Sequence, residues 1–193
     1  MSLSKESIRK NVRAWRKTIS LEQREIAANA ATRIFLNDPL FIQKQNYGIY
    51  LPHDGEFDSE PLIQALWLAE KKCYLPTLTT DNQLVFHLYT PESSLKKNQY
   101  SILEVPFSQD VTLPAKELDV VFTPLVAFDS VGIRLGMGGG YYDRTFQFLE
   151  KKRGQPLLIG LGYQAQQVDV LPRADWDIPL DAVLTEEKIT TFI

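Results

Sequence analysis

The chain has 193 residues, 44% of them apolar and 23% charged, a balance that suits one folded domain over 1–193 and excludes extended disorder. Its net charge of −3, from 21 Lys and Arg against 24 Asp and Glu, excludes a general electrostatic footprint for nucleic acid and leaves any anion site to a local cluster. A single cysteine, Cys73, excludes a disulfide framework, and no apolar run approaches the ~20 residues that cross a bilayer.

In chain order, residues 4–19 read as an amphipathic helix with Ile8, Val12, Trp15 and Ile19 on one face. Beside that face runs a basic stripe of Lys5, Arg9, Arg13 and Arg16, of the kind that usually lies in solvent. The first 20 residues are rich in Lys and Arg but carry no secretory apolar core, so a cytoplasmic monomer without a membrane partner is expected. Ser20 with Gln23 predicts a capping box that opens a second helix through Ala27, Ala31, Ile34 and Phe35, ending near Asn37-Asp38-Pro39.

Strands and helices then alternate. Tyr47 to Leu51 predicts a strand, followed by the turn-like Pro52-His53-Asp54-Gly55-Glu56. Residues 59–71 predict a helix with Pro61 in its first turn and Leu62, Leu66 and Ala69 inward. Cys73 to Leu75 and Leu84 to Tyr89 predict two further strands, with Cys73 in a packing role, and 90–117 reads as a loop-rich excursion. Val120 to Phe128 predicts a strand that bends or nears a sheet edge at Pro124. Asp143 to Lys152 predicts a helix with Phe146 and Leu149 inward and Gly154 at its end. Leu157 to Leu161 and Ala182 to Thr185 predict the last strands. The alternation implies an α/β fold, a three-layer sandwich whose mostly parallel central sheet is flanked by helices.

The sharpest chemical signal is Arg134-Leu-Gly-Met-Gly-Gly-Gly-Tyr-Tyr-Asp143, between a strand and a helix. Gly136, Gly138, Gly139 and Gly140 permit positive φ and close approach of a ligand to backbone amides, as phosphate sites require. Arg134 is suited to a phosphate and Asp143 to a magnesium ion shared with it, although Asp143 equally suits a helix cap. The segment is neither a P-loop, which ends in Gly-Lys-Ser/Thr, nor a dinucleotide fingerprint, since Tyr141 stands where the third glycine belongs. Glu56, in a turn after the first strand, and Asp175 and Asp177, flanking Trp176, are further acidic candidates. His53 and His87 have no metal-ligand spacing, and no Ser/His/Asp arrangement stands out.

The run from Arg134 to Arg144 resembles the signature of the 5-formyltetrahydrofolate cyclo-ligase family. In order along the chain, Lys5 and Arg9 on the first helix, Tyr50-Leu-Pro-His-Asp-Gly-Glu56, Thr123-Pro-Leu-Val-Ala-Phe-Asp129 and Trp176-Asp-Ile-Pro-Leu-Asp-Ala-Val-Leu-Thr185 match it too. The resemblance implies a fold similar to sugar-phosphate isomerases and coenzyme A transferases. It also implies ATP- and magnesium-dependent closure of 5-formyltetrahydrofolate, with or without a polyglutamate tail, to 5,10-methenyltetrahydrofolate. By match to the family pattern, ATP is held by Lys5, Arg9, Arg134, Leu135, Gly136, Met137, Gly138, Gly139, Gly140, Tyr141 and Tyr142. Of these, Arg134 and Tyr142 are implied as catalytic. The folate is implied to meet Leu51, Glu56, Tyr100 and the stretch Gly138, Gly139, Gly140 and Tyr141, with Asp143 and Asp177 as magnesium ligands. Some members carry a Lys where this chain has Gly139; the all-glycine form resembles bacterial members, and Arg13 or Arg144 is the expected compensating cation. A non-catalytic folate- or nucleotide-binding protein is the competing reading, and a sugar-phosphate isomerase or coenzyme A transferase a third.

Overall fold

The computed structural model describes residues 4–98, 100–106, 112–150, 154 and 156–192. Helix α1 spans Lys5–Arg16, with the Ser4 hydroxyl accepting from the Ser7 amide as its N-cap. Helix α2 spans Leu21–Leu36 and begins with the expected reciprocal capping box between Ser20 and Gln23. A single turn, α3 (Pro39–Ile42), follows where the sequence suggested only a stop, with Asp38 capping it and Pro39 at its first position. Strand β1 is Asn46–Gly48 and α4 is Glu60–Leu68. Ala69 is the exposed C-cap of α4, not part of its inner face; Ile63 joins Leu62 and Leu66 there instead.

Strands β2 (Lys72–Leu78) and β3 (Leu84–Tyr89) form a hairpin. The excursion over 90–117 contains β4 (Lys96–Lys97), β5 (Leu103–Glu104), β6 (Thr112–Leu113) and a 3₁₀ turn at Ala115–Glu117. Next come β7 (Val120–Pro124), β8 (Ala127–Phe128) and β9 (Arg134–Leu135). The single strand expected over Val120 to Phe128 is therefore two. Pro124 ends β7 opposite Leu161 of β10, beyond the last β1 pairing at Val121, and the chain turns there into a separate β8–β9 hairpin. Proline serves here as a strand terminus, where its missing N–H removes only the last ladder bond.

Helix α5 (Tyr141–Thr145) starts earlier than expected and stops at Phe146, after which Gln147–Glu150 forms a 3₁₀ turn. The break fits burial: Phe146 and Leu149 both point inward, and Phe146 packs against Phe86 and Tyr142. Residues 151–153, where the predicted helix would have continued, lie outside the described residues. Strands β10 (Leu157–Leu161), β11 (Ala182–Leu184) and β12 (Ile189–Thr191) complete the fold.

The main sheet has eight strands in the order β12-β11-β10-β7-β1-β2-β3-β6. Its centre, from β11 to β2, is parallel, and β12, β3 and β6 are antiparallel additions at the edges. Alternation along β7 explains the layering: Val120 and Phe122 point to one face and Val121 to the other. On the first face α2 and α4 pack through Ala27, Ala28, Ala31, Phe35, Leu62 and Leu66, the small alanines letting α2 lie close to the sheet. Phe35 sits edge-on to Phe122 and Tyr47 at the centre of that core. The second face is covered by Phe146, Leu149, Ile178 and Leu180. Helix α1 packs separately through Ile8 on Val126, Ala127, Ile133 and Leu135 of the β8–β9 hairpin.

One expectation for α1 fails. Arg16 is not part of a solvated stripe but is 1% exposed, with Nη2 donating to the carbonyl oxygen of Leu125. The helix ends against the sheet, and its last turn is carried inward with it.

Candidate functional site

The chain places β2 on one side of β1 and, after the excursion to β6, places β7 on the other. At such a switch point the loops leaving neighbouring strands diverge and open a crevice at their carboxyl ends. A cavity of about 820 Å³ lies there. Tyr50, Leu51 and Glu56 reach it from the segment after β1, Pro76 and Leu78 from β2, and Pro124 and Leu125 from the end of β7. All the site residues expected from sequence line this one cavity: Lys5, Arg9, Leu51, Glu56, Tyr100, the run from Arg134 to Asp143, and Asp177. Arg13, Arg16 and Asp175 do not.

Lys5 and Arg9 stand one helical turn apart on α1 and so face the cavity together. Arg9 Nε donates to the Gly136 carbonyl oxygen at 2.9 Å, tying the helix to the glycine segment. Lys5 Nζ lies 3.2 Å from Asp177 Oδ2, which also accepts from the Ala174 amide at 2.8 Å. In the glycine segment, Gly138 has φ +108° and Gly140 φ +65°, conformations that side chains disfavour. Gly140 is the N-cap of α5, and its left-handed turn aims the chain back toward the sheet.

Arg134 is held by β9 and is 9% exposed. Its Nη1 donates to the Ile178 carbonyl oxygen at 2.7 Å and its Nη2 to Asp143 Oδ1 at 2.8 Å. Asp143 Oδ1 also accepts from the Ile178 amide at 3.1 Å, so α5 and the loop carrying Asp177 are bound at adjacent residues. Asp143 and Asp177 thus border one end of the cavity, each facing a cation. Among the described residues, no cluster of three or more His, Cys, Asp or Glu is arranged to hold a metal.

Glu56 reaches the cavity from the turn after β1, where its carboxylate accepts from the His53 amide at 3.1 Å. Burial raises its pKa to about 7, against opposing contributions from that hydrogen bond and from Arg16. Burial also pushes the Tyr142 hydroxyl well above its ordinary range, with Glu56 adding to the effect and Arg134 opposing it. The Tyr50 hydroxyl is raised in the same way and donates to the Phe57 carbonyl oxygen at 3.1 Å. Both phenols are neutral donors at physiological pH.

The aromatic mouth is built by Tyr141, Tyr100 and Trp176. Tyr141 and Tyr100 bring their hydroxyls within 3.4 Å of each other, and Arg144 lies over the Tyr141 ring with its guanidinium carbon 5.3 Å from the centroid. A Cβ at Gly139 would stand 2.4 Å from Tyr141 Cε2, so this ring fills the space that a side chain at 139 requires. Arg144 donates to the Gly139 and Asn82 carbonyl oxygens at 2.5 and 3.0 Å. Arg13 instead pairs with Asp54 at 2.7 Å. Of the two expected compensating cations, Arg144 borders the cavity.

Sequence reasoning missed Asn98 and Ile102, which line the cavity beside Tyr100 from the turn of the β4–β5 hairpin. The available signal was Asn98 itself: its side-chain oxygen accepts from the amides of Tyr100 and Ile102, the local turn chemistry typical of asparagine.

A family model described as the 5-formyltetrahydrofolate cyclo-ligase family matches residues 1–186. The chain is 42% identical over 182 residues to the 5-formyltetrahydrofolate cyclo-ligase of Haemophilus influenzae, covering 93% of this chain and 96% of that one. To the 5-formyltetrahydrofolate cyclo-ligase of Escherichia coli (strain K12) it is 43% identical over 170 residues, covering 87% and 92%. Among solved structures, the 5,10-methenyltetrahydrofolate synthetase of Aquifex aeolicus superposes with a TM-score of 0.81 at 31% identity, covering 97% of this chain and 92% of that one. A 5,10-methenyltetrahydrofolate synthetase of Mycoplasma pneumoniae shares the fold, with a TM-score of 0.72 at 22% identity over 95% and 99% of the chains.

Proposed function

The chain belongs to the 5-formyltetrahydrofolate cyclo-ligase family, and from that membership we propose that it closes 5-formyltetrahydrofolate to 5,10-methenyltetrahydrofolate as ATP becomes ADP and phosphate. The observation that carries the reading is a single cavity lined by two kinds of chemistry. Lys5, Arg9 and the glycine segment offer cations and backbone amides; Glu56, with Leu51 and the aromatic Tyr100, Tyr141 and Trp176, offers an acceptor beside flat apolar walls.

The triphosphate lies along Lys5, Arg9 and the segment from Arg134 to Tyr142. Gly138 and Gly140, in conformations that keep side chains away, leave the backbone open to phosphate oxygens. The folate enters at Leu51, Glu56 and Tyr100, with Gly138 to Tyr141 bordering both substrates. The pterin edge is rich in N–H donors, which an ionised Glu56 accepts.

A formamide oxygen is a poor leaving group, and phosphorylation makes it a good one. The formyl oxygen attacks the γ-phosphorus, the bond to the bridging oxygen breaks, and ADP departs, leaving an N5-iminium phosphate. The N10 lone pair then adds to the former formyl carbon, N10 loses its proton, and the carbon–oxygen bond breaks to release phosphate. No enzyme nucleophile is required. The chain's task is to align the two substrates and to neutralise charge on the transferring group. Arg134 serves from a buried position through its ion pair with Asp143, and Tyr142 as a neutral donor.

Asp143 and Asp177 would hold magnesium. Two carboxylates at one end of a phosphate cavity suit that ion, which takes few protein ligands and keeps phosphate oxygens and waters for the rest. When bound, it would supply positive charge to the phosphate groups.

The test is an absorbance assay with 5-formyltetrahydrofolate, ATP and magnesium. The methenyl chromophore is expected to appear only when all three are present. No chromophore would sink the reaction, and an equal rate without ATP would sink the phosphoryl-transfer step.

A further inference from the structure

Arg16 closes α1, and the function described so far does not use it. Its Nη2 donates to the carbonyl oxygen of Leu125, a residue of the cavity wall, while Nε and Nη1 are buried with no hydrogen-bond partner among the described residues. A guanidinium at that depth is strongly disfavoured unless a nearby anion offsets the lost hydration. The 53–56 turn packs on the base of the Arg16 side chain. A Cβ at Gly55 would stand 3.4 Å from Arg16 Cβ, and the next residue is Glu56. Among the groups that favour the charge on Arg16, Glu56 contributes most, ahead of Tyr50, Asp54 and Tyr163. The turn is clamped from the same side by Arg13, paired with Asp54, and by Arg24, whose Nη1 would lie 3.5 Å from a Cβ at Gly55.

We propose that Arg16 is a positioning residue for the pterin end of the cavity: a fixed cation behind the 53–56 turn that keeps Glu56 ionised and in place when folate displaces water. The inference rests on the reading of Glu56 as the pterin acceptor. A flat ring that covers Glu56 removes its remaining solvent and favours the protonated acid, which presents a donor to a donor edge. The groups around Glu56 divide clearly. Asp54 in its own turn also favours protonation, Tyr50 and Tyr142 are neutral, and the His53 amide and Arg16 favour the anion. Arg16 supplies the full positive charge in that set, and a guanidinium keeps its charge at a depth where a lysine readily gives up its proton.

The experiment follows the Glu56 carboxyl by ¹³C NMR in protein labelled at glutamate, with the resonance assigned by its loss in Glu56→Gln. KM values for 5-formyltetrahydrofolate and for ATP are measured across the same pH range. In Arg16→Met the Glu56 midpoint is expected to rise by about one pH unit or more. The pH dependence of the folate KM should move with it, raising that KM about fivefold or more at neutrality with the ATP KM unchanged. Arg16→Lys, which is cationic when protonated, should shift the midpoint less. If Arg16→Met does not fold, Arg16→Gln, also neutral but able to donate to Leu125, carries the same expectation. A midpoint that stays in place in the neutral variants overturns the proposal, as does a Lys variant that moves as far as the neutral ones. A raised midpoint with an unmoved folate KM overturns instead the assignment of Glu56 to the pterin, leaving the tie between Arg16 and Glu56 standing.

Discussion

Arg134 Nη2 and Asp143 Oδ1 lie 2.8 Å apart, with the arginine side chain 5% exposed and the aspartate 24%. The pair joins β9 to α5 across the glycine segment, and Asp143 also receives the Ile178 amide. Asp143 therefore has a structural duty beside any metal role, whereas the pair of Lys5 and Asp177 is more open to water, at 35% and 18% exposed. Asp143→Ala strands a buried guanidinium and an amide, and is expected to lower stability by about 2–3 kcal/mol as well as abolish turnover. Asp177→Asn keeps an oxygen for the Ala174 amide and loses only a partly solvated ion pair. Its stability should fall by less than about 1 kcal/mol while activity drops at least tenfold. Chemical denaturation without ligands, beside the absorbance assay, separates the two. Equal stability losses would mean that the Arg134 pair is no more important to the fold than a surface one.

The glycine segment yields a second contrast. Gly138, at φ +108°, sits with the Arg9 guanidinium 3.5 Å from where a Cβ would be. Gly138→Ala is expected to cost about 1–3 kcal/mol through backbone strain alone. At Gly136 a Cβ would meet nothing within 4 Å, and its φ lies outside the left-handed region. Gly136→Ala should leave the melting temperature in place yet raise the KM for ATP about tenfold, a loss of ~1.4 kcal/mol, because the added methyl meets the nucleotide. An unchanged KM would show that the Gly136 α-carbon faces away from ATP.

Glu56 predicts a pH dependence of definite sign. Its folded pKa, about 7, is raised above the unfolded value of 4.5, so the folded state binds the proton more tightly. The stability contributed by its proton is full below pH 4.5 and is lost as the pH rises through about 7. Glu56→Gln, which imitates the protonated acid, should match the wild type near the bottom of that window. Above pH 7 it should be more stable by about 1–3 kcal/mol. Folate binding runs the opposite way: the wild-type KM for folate should improve as pH rises through about 7, and Glu56→Gln should lose that dependence. Urea denaturation across the pH range reads the first effect and steady-state kinetics the second.

The parts of this site that sequence revealed are those fixed by local chemistry. The glycines from Gly136 to Gly140 announce an open backbone because no other residue tolerates φ near +108° or +65° so readily, and the Ser20–Gln23 capping box follows from spacing alone. The α/β alternation of strands and helices likewise follows from periodicity. What stayed hidden depends on long-range packing. Arg16 reads as one more surface cation at helical spacing, and only the docking of α1 against Leu125 turns it inward. Pro124 marks, as expected, where the strand gives way, but only the register shows that β1 leaves the ladder at Val121, so that at Pro124 β7 pairs with β10 alone and a proline costs little. Asn98 and Ile102 reach the cavity through a hairpin whose strands are two residues each, too short for any period to register.

Arg144 and Arg13 provide the last test, since the chain has glycine at 139 where some members carry lysine. Arg144 donates to the Gly139 and Asn82 carbonyl oxygens and stacks on Tyr141, so it brings a positive charge beside position 139 and also holds the loop's shape. Arg13 is exposed and spends its Nε on Asp54. Arg144→Ala is expected to lower kcat about tenfold or more and to raise the KM for ATP, with Arg144→Lys restoring part of kcat through charge alone. Arg13→Ala should change kcat less than about twofold and stability by less than about 1 kcal/mol, the ordinary worth of an exposed ion pair. Should both alanine variants turn over ATP and folate as the wild type does, neither arginine replaces the missing lysine, and in the proposed reaction the charge on the transferring phosphate would fall to Lys5, Arg9, Arg134 and the metal.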